Sequence, residues 1–171
     1  MKTTIKIFSI ALVSLGFSAT SFAQNGVSAT ATATSNIIAP IAITKNVDMN
    51  FGNVAVLSNE AGTVVLAPAG GRTRTGGVTL PSNNGTVAAA QFTVTGATNY
   101  TYAITLPTSI NVVFGTNNMT VDEFTCNYPT KIATLTSGTS TLNVGATLNV
   151  NANQAAGTYV SGAFEVTVNY N

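Results

Sequence analysis

Two stretches near the carboxy-terminal end of the sequence alternate apolar and polar side chains so regularly that a pleated strand is the structure that can use them. Phe164, Val166, Val168 and Tyr170 interleave with Glu165, Thr167, Asn169 and Asn171; Leu142, Val144, Ala146, Leu148 and Val150 interleave with Thr141, Asn143, Gly145, Thr147 and Asn149. A strand turns successive side chains to opposite faces, so a period of two yields one greasy face and one wetted face, whereas a helix scatters the same residues around its circumference. β-branched Thr and Val are abundant where the alternation is clearest, which suits a half-buried pleated surface. Gly145 marks a bulge or bend in the second stretch.

Shorter strands are predicted for Val47 to Phe51, Gly62 to Ala67, Ala89 to Thr95, Asn99 to Leu106, Ile110 to Phe114 and Met119 to Cys126, separated by Gly, Pro, Asn and Ser clusters such as Pro81 to Gly85 and Gly115 to Asn118. Many short strands with no helical period between them predict an all-β chain, a single antiparallel β-sandwich, rather than alternating strands and helices. Pro68 to Gly77 reads as a long loop, with Gly70-Gly71 and Gly76-Gly77 flanking Arg72 and Arg74 as a flexible hairpin tip, and Asn153 to Ala156 as a brief helical turn.

The amino-terminal end has a different pattern. Lys2 and Lys6 precede an apolar run from Ile7 to Phe17, and Ser21-Phe22-Ala23 supplies small residues at the positions a signal peptidase reads. The expected cut falls between Ala23 and Gln24. The apolar run is shorter than the roughly 20 residues that span hydrocarbon, and Thr, Asn and Gly interrupt every later apolar stretch, so no membrane span is expected after cleavage. Residues 1–23 then form the signal peptide and residues 24–171 one domain, secreted or at the cell surface after periplasmic transit.

The mature chain holds Lys45, Arg72, Arg74 and Lys131 against Asp48, Glu60, Asp122, Glu123 and Glu165, four cations against five carboxylates. Only two of the cations lie close together, which argues against nucleic acid as a partner, since that requires a cluster of cations to displace counterions. With one cysteine, Cys126, no intramolecular disulfide can form. With no histidine, a Ser-His-Asp or Cys-His arrangement cannot be built and imidazole cannot ligate a metal.

Cys126 alternates with Phe124 and Tyr128 as a core thiol does, and no acidic loop has calcium-binding spacing. Asp122 and Glu123 are adjacent, so on a regular strand they face opposite ways. No catalytic, cofactor or metal site is expected, and the chain reads as a non-enzyme.

Residues 27–45 differ from the remaining strands. Val27 to Thr34 reads V-S-A-T-A-T-A-T, placing Val27, Ala29, Ala31 and Ala33 on one face. Alanine methyl groups gain little from burial at roughly 25 cal/mol per Å². The segment is therefore either a weakly held edge strand or an arm that pairs with the open edge of a neighbouring subunit through main-chain hydrogen bonds.

Three landmarks carry a family resemblance: Asp48-Met49-Asn50-Phe51-Gly52-Asn53-Val54, the stretch Asn99 to Leu106, and the ending from Ala156 through Phe164 to Tyr170. Over nearly the whole mature chain they are similar to an uncharacterised family of secreted bacterial all-β domains. More distantly they resemble spore-coat-U-like domains and the pilins of archaic chaperone-usher pili. That resemblance implies an incomplete immunoglobulin-like sandwich, completed by a strand from the next subunit, with Phe164, Val166, Val168 and Tyr170 on the strand edging the groove. It also implies identical subunits or other surface proteins as partners and a periplasmic chaperone during transit. The chain departs from those pilins in having one cysteine where they commonly carry a pair, and Ala where a donor strand carries larger knobs. The resulting expectation is a fimbria-like structural subunit or adhesin component assembling by strand exchange. The alternative is a monomeric secreted module that binds a glycan or protein through its loops and exposed Tyr100, Tyr128 and Tyr159.

Overall fold

The computed structural model of the chain describes residues 26–171. The expected signal peptide and its cleavage point at Ala23 and Gln24 lie outside the described residues. Gly26 to Asn36 carries no strand or helix and every residue in it is exposed. Residues 37–171 form a separate compact unit that contains all of the strands.

In chain order the strands are β1 (Ala42–Val47), β2 (Ala55–Val56), β3 (Gly62–Leu66), β4 (Arg72–Gly76), β5 (Val78–Thr79), β6 (Ala90–Thr95), β7 (Thr101–Thr105), β8 (Ser109–Phe114), β9 (Asn117–Cys126), β10 (Ile132–Thr134), β11 (Thr139–Val150), β12 (Val160–Ser161) and β13 (Thr167–Tyr170). All pairings are antiparallel, which confirms the all-β expectation. The main sheet runs β1-β6-β11-β9-β8-β12, with β3 also on β11 and β4 on β3; a second sheet runs β10-β7-β13, and β2 pairs with β5.

The longest strand, β11, organises the main sheet. One of its edges pairs with β6 through Thr139–Val144 and then with β3 through Ala146–Val150, while β9 occupies the other edge from Val144 to Asn149. Gly145 sits where β6 gives way to β3. A Cβ there would lie 2.1 Å from the Leu66 carbonyl oxygen, so only glycine allows the second neighbour to approach.

The expected alternation is realised in packing. Leu142, Val144, Ala146, Leu148 and Val150 of β11, together with Phe92 and Val94 of β6 and Val121 of β9, are buried in one cluster that also takes Tyr102 and Ile104 of β7, Ala133 of β10 and Val168 of β13. Both larger sheets therefore contribute to one core. Inside it, the Tyr102 and Ser140 hydroxyls share a 2.5 Å hydrogen bond that joins β7 to β11.

Several expectations are corrected. The strand expected at Val47 to Phe51 lies earlier, at β1, and only Asn50 bridges onward, to Ala88. The Asn50 side chain accepts the Gly52 N–H and Gly52 takes φ +67°, a local turn that ends extended structure. Of residues 27–45, only Ala42 onward is strand. The loop expected across Pro68 to Gly77 is a tight turn, closed by Ala67 N–H to the Gly71 carbonyl and Gly70 N–H to the Ala67 carbonyl, followed by β4. No helical turn forms at Asn153 to Ala156, where Asn153 has φ +53°; the single helical turn among the described residues is the 3-10 turn at Thr136–Gly138. The terminal strand is shorter than its alternation suggests, since only Thr167–Tyr170 of Phe164–Tyr170 joins the ladder.

Because Leu142 is fully buried at the centre of the shared core, Leu142→Ala is expected to cost about 3 kcal/mol, in the range for removing a buried leucine side chain. Urea unfolding of the variant beside Thr141→Ala, which alters an exposed position on the same strand, measures it.

Candidate functional site

The terminal strand β13 combines a buried face with an unpartnered edge. Among the described residues its only ladder is with β7, pairing Thr167 with Thr105, Val168 with Ile104, Asn169 with Ala103 and Tyr170 with Tyr102. The Asn171 N–H donates to the Thr101 carbonyl at 3.2 Å, which fixes the phase of the ladder. Main-chain groups alternate sides along an antiparallel strand, so those of Thr167 and Asn169 also turn to β7, and those of Val168 and Tyr170 turn outward. The Ile104 N–H, directed to the Lys131 carbonyl at 2.8 Å, has the complementary phase.

Of the residues expected on this strand, Val168 and Tyr170 belong to β13, while Phe164 and Val166 precede it. Val166 and Val168 are buried and Tyr170 is half-buried. Phe164 is half-buried against Phe124, with ring centroids 5.5 Å apart. Glu165 and Asn169 are exposed.

Tyr170 is fixed at its hydroxyl, which accepts the Ala97 N–H at 2.6 Å and donates to the Ala39 carbonyl at 2.9 Å. Its ring meets Tyr100 edge-on at 5.8 Å, and Gly96 leaves room for it, since a Cβ at that position would fall 2.3 Å from the hydroxyl. One side chain thus ties β13, the turn after β6 and the chain entering β1. Ala39, Gly96 and Ala97 were not among the expected site residues, because two of them contribute only main-chain groups and leave no side-chain signature.

The other sheet margins differ in chemistry. β1 carries Lys45, which pairs with Asp48 at 2.7 Å, β4 carries Arg72 and Arg74, and Lys131 directly precedes β10. β12 has two residues. Charged or very short edges discourage pairing with another chain. β13 has no charged residue within Thr167–Tyr170.

The expected arm residues Val27, Ala29, Ala31 and Ala33 are all exposed, Val27 at 96%. They present the alternating face to solvent.

Expectations for the remaining polar groups divide. The arginines are not free at a loop tip: Arg72 donates through Nη1 to the carbonyls of Phe51 and Asn53, and Arg74 to that of Val78 at 2.8 Å. Asp122 and Glu123 do not face opposite ways. The β9–β11 register slips between Gly145 and Thr147, and Glu123 takes φ +48°, a bulge that swings both carboxylates toward one face. There Asn149 donates to Asp122 at 2.9 Å and Thr147 to Glu123 at 3.0 Å.

Cys126 is half-buried and donates to the Tyr128 carbonyl at 3.1 Å. The Tyr128 hydroxyl donates to the Thr141 carbonyl, and that of Tyr159 donates to the Ala155 carbonyl and accepts from Gln154. Among the described residues, no three of His, Cys, Asp and Glu come together as a metal site, and no helix is long and apolar enough to cross a membrane.

Residues 41–170, the whole strand-bearing region from the approach to β1 to the last residue of β13, match one family, described as Domain of unknown function (DUF4402). The chain belongs to that family. No curated protein and no solved structure matches it. The matched DUF4402 region contains β13 and the Tyr170 ring system, and begins after the arm residues.

Two measurements probe this region. Tyr170→Phe removes a hydroxyl that satisfies two main-chain groups and is expected to lower unfolding free energy by about 1–2 kcal/mol in urea titration. Burial raises the Tyr102 phenol above its ordinary value of 10.0, with the Ser140 hydrogen bond pulling the other way. Above that pH the unfolded chain loses a proton that the folded chain keeps, so the folded state binds more protons and stability falls as pH rises; below it the contribution is fully present. Thermal melts from pH 9 to 11 should show this decline, and Tyr102→Phe should flatten it.

Proposed function

We propose that this DUF4402 chain is an exported, non-enzymatic structural subunit of immunoglobulin-like sandwich type. It assembles at the cell surface by strand addition: residues 27–34 of one copy pair with the outer edge of β13 in the next. The observation that carries this reading is the uncharged edge at Val168 and Tyr170, which has no strand partner among the described residues, on a strand whose opposite edge is fully laddered. Main-chain groups left open on an edge strand are satisfied by water or by another extended chain, and an incoming strand recognises them by hydrogen bonding alone.

The arm supplies a matching composition. Its residues are exposed, free of charge from Val27 to Thr34, and alternate small apolar groups with Thr and Ser, so one face can lie against a core while the other stays wet. The amino-terminal signal-like sequence supports export, and the distant resemblance to archaic chaperone-usher pilins supports a chaperone during transit. The small charged fraction of the sequence, 6%, suits a surface that meets copies of itself without strong repulsion.

The mature protein is expected to run as a ladder of oligomers on an unheated denaturing gel. Deleting residues 27–34 should collapse the ladder to monomer while leaving the urea midpoint unchanged, and an excess of a synthetic peptide of residues 26–36 should shorten it in the intact protein. A mature protein that is monomeric at every concentration by light scattering would sink the proposal.

A further inference from the structure

The loop between β5 and β6 contains Asn84-Gly85, a dipeptide whose chemistry the assembly reading does not use. Asn84 is exposed and its side-chain amide makes no hydrogen bond among the described residues. It lines a surface depression of about 380 Å³ together with Arg72. Gly85 has φ +62°, carries no side chain to hinder approach to its nitrogen, and its N–H donates to no group among the described residues. The carbonyl of Asn84, the oxygen of the very peptide that includes the Gly85 nitrogen, accepts the Asn53 N–H at 2.8 Å.

We propose that Asn84 is a self-modification site, at which the Gly85 nitrogen closes on the Asn84 side chain, expels ammonia and leaves aspartate or isoaspartate facing Arg72. In the first step hydroxide removes the Gly85 amide proton. The nitrogen then forms a bond to Cγ of Asn84, the Cγ–Nδ2 bond breaks, and Nδ2 takes a proton from water to leave as ammonia. Water adds to either carbonyl of the resulting succinimide, and the ring opens to aspartate or to isoaspartate. No oxidant, reductant or enzyme is required.

Two features of the fold favour the step. Loss of the Gly85 proton moves negative charge onto the Asn84 carbonyl oxygen, where the fixed Asn53 N–H stabilises it at no cost of reorganisation. Arg72 is the charged residue lining the depression, and its guanidinium, held in place by the carbonyls of Phe51 and Asn53, favours both the transient anion and the final carboxylate. The consequence is a new negative charge in a depression that otherwise holds one cation.

The mature protein is aged at neutral to mildly alkaline pH, digested, and read by mass spectrometry at the peptides containing Asn84 and Asn25, the latter followed by Gly26 and serving as an internal reference. The expected result is amide-to-acid conversion at Asn84 with isoaspartate in excess, its rate rising in proportion to hydroxide concentration, and slowed several-fold by Arg72→Gln. Asn84→Gln should abolish it. Because Arg72→Gln can disturb the turn it supports, wild-type protein in raised salt, which screens the guanidinium, provides a second reading and should also slow conversion. Asn84 left intact in folded protein while Asn25 converts, or conversion appearing only after unfolding in urea, would overturn the proposal. A rate indifferent to both Arg72→Gln and salt overturns the part assigned to Arg72.

Discussion

Everything in the main sheet is referred to the main chain of β11, which is hydrogen-bonded along both edges. A strand flanked on both sides cannot slip without breaking two ladders at once, and a slip of one residue would turn Leu142, Val144, Leu148 and Val150 out of the core. The change of neighbour at Gly145 is what lets one strand hold β6, β3 and β9 together. Where β9 ends, Asn127 continues the pairing by other means: its N–H donates to the Asn143 carbonyl while its side-chain oxygen accepts the Asn143 N–H at 2.8 Å. The edge of β11 is thereby sealed beyond the last residue of its neighbour.

A chain so poor in charge must satisfy its interior with neutral groups. Among the described residues no buried side-chain nitrogen or oxygen lacks a partner. The buried Thr147 hydroxyl reaches Glu123 only because the β9 bulge turns that carboxylate back over β11. The bulge explains why adjacent acids on one strand are found on one face. It also gives both of them neutral donors, so neither requires a cation.

The sequence makes β11 and β13 legible because each carries a continuous apolar face, and burial of that face is what the period of two records. β4 is invisible to the same reasoning. Arg72, Thr73, Arg74 and Thr75 present no apolar face at all, and the strand exists because its main chain pairs with β3 and its arginines reach carbonyls of other segments. β2, β5 and β12, of two residues each, are too short to show a period. The same limit applies to the site. Tyr170 is legible as an apolar member of the alternating run from Phe164, whereas its partners at Ala39 and Ala97 act through backbone atoms that any residue would supply. The bulge at Glu123 is likewise hidden, since its left-handed φ falls on a residue with no special preference for it.

The proposed assembly places opposite demands on its two halves, and the residues on each side meet them. An arm of alanines buries too little apolar area to organise an acceptor as it binds, so most of its attraction must come from main-chain hydrogen bonds, each worth only about 1 kcal/mol net. Such bonds contribute only if the acceptor edge is already straight and in place, because ordering it during binding would cost more per residue than a bond returns. β13 is ordered beforehand from both ends: Val168 is held in the core, and the Tyr170 hydroxyl is held between Ala97 and Ala39. A weak donor is therefore workable only beside a rigid acceptor, and the rigidity of β13 rests on contacts that an incoming strand does not have to make.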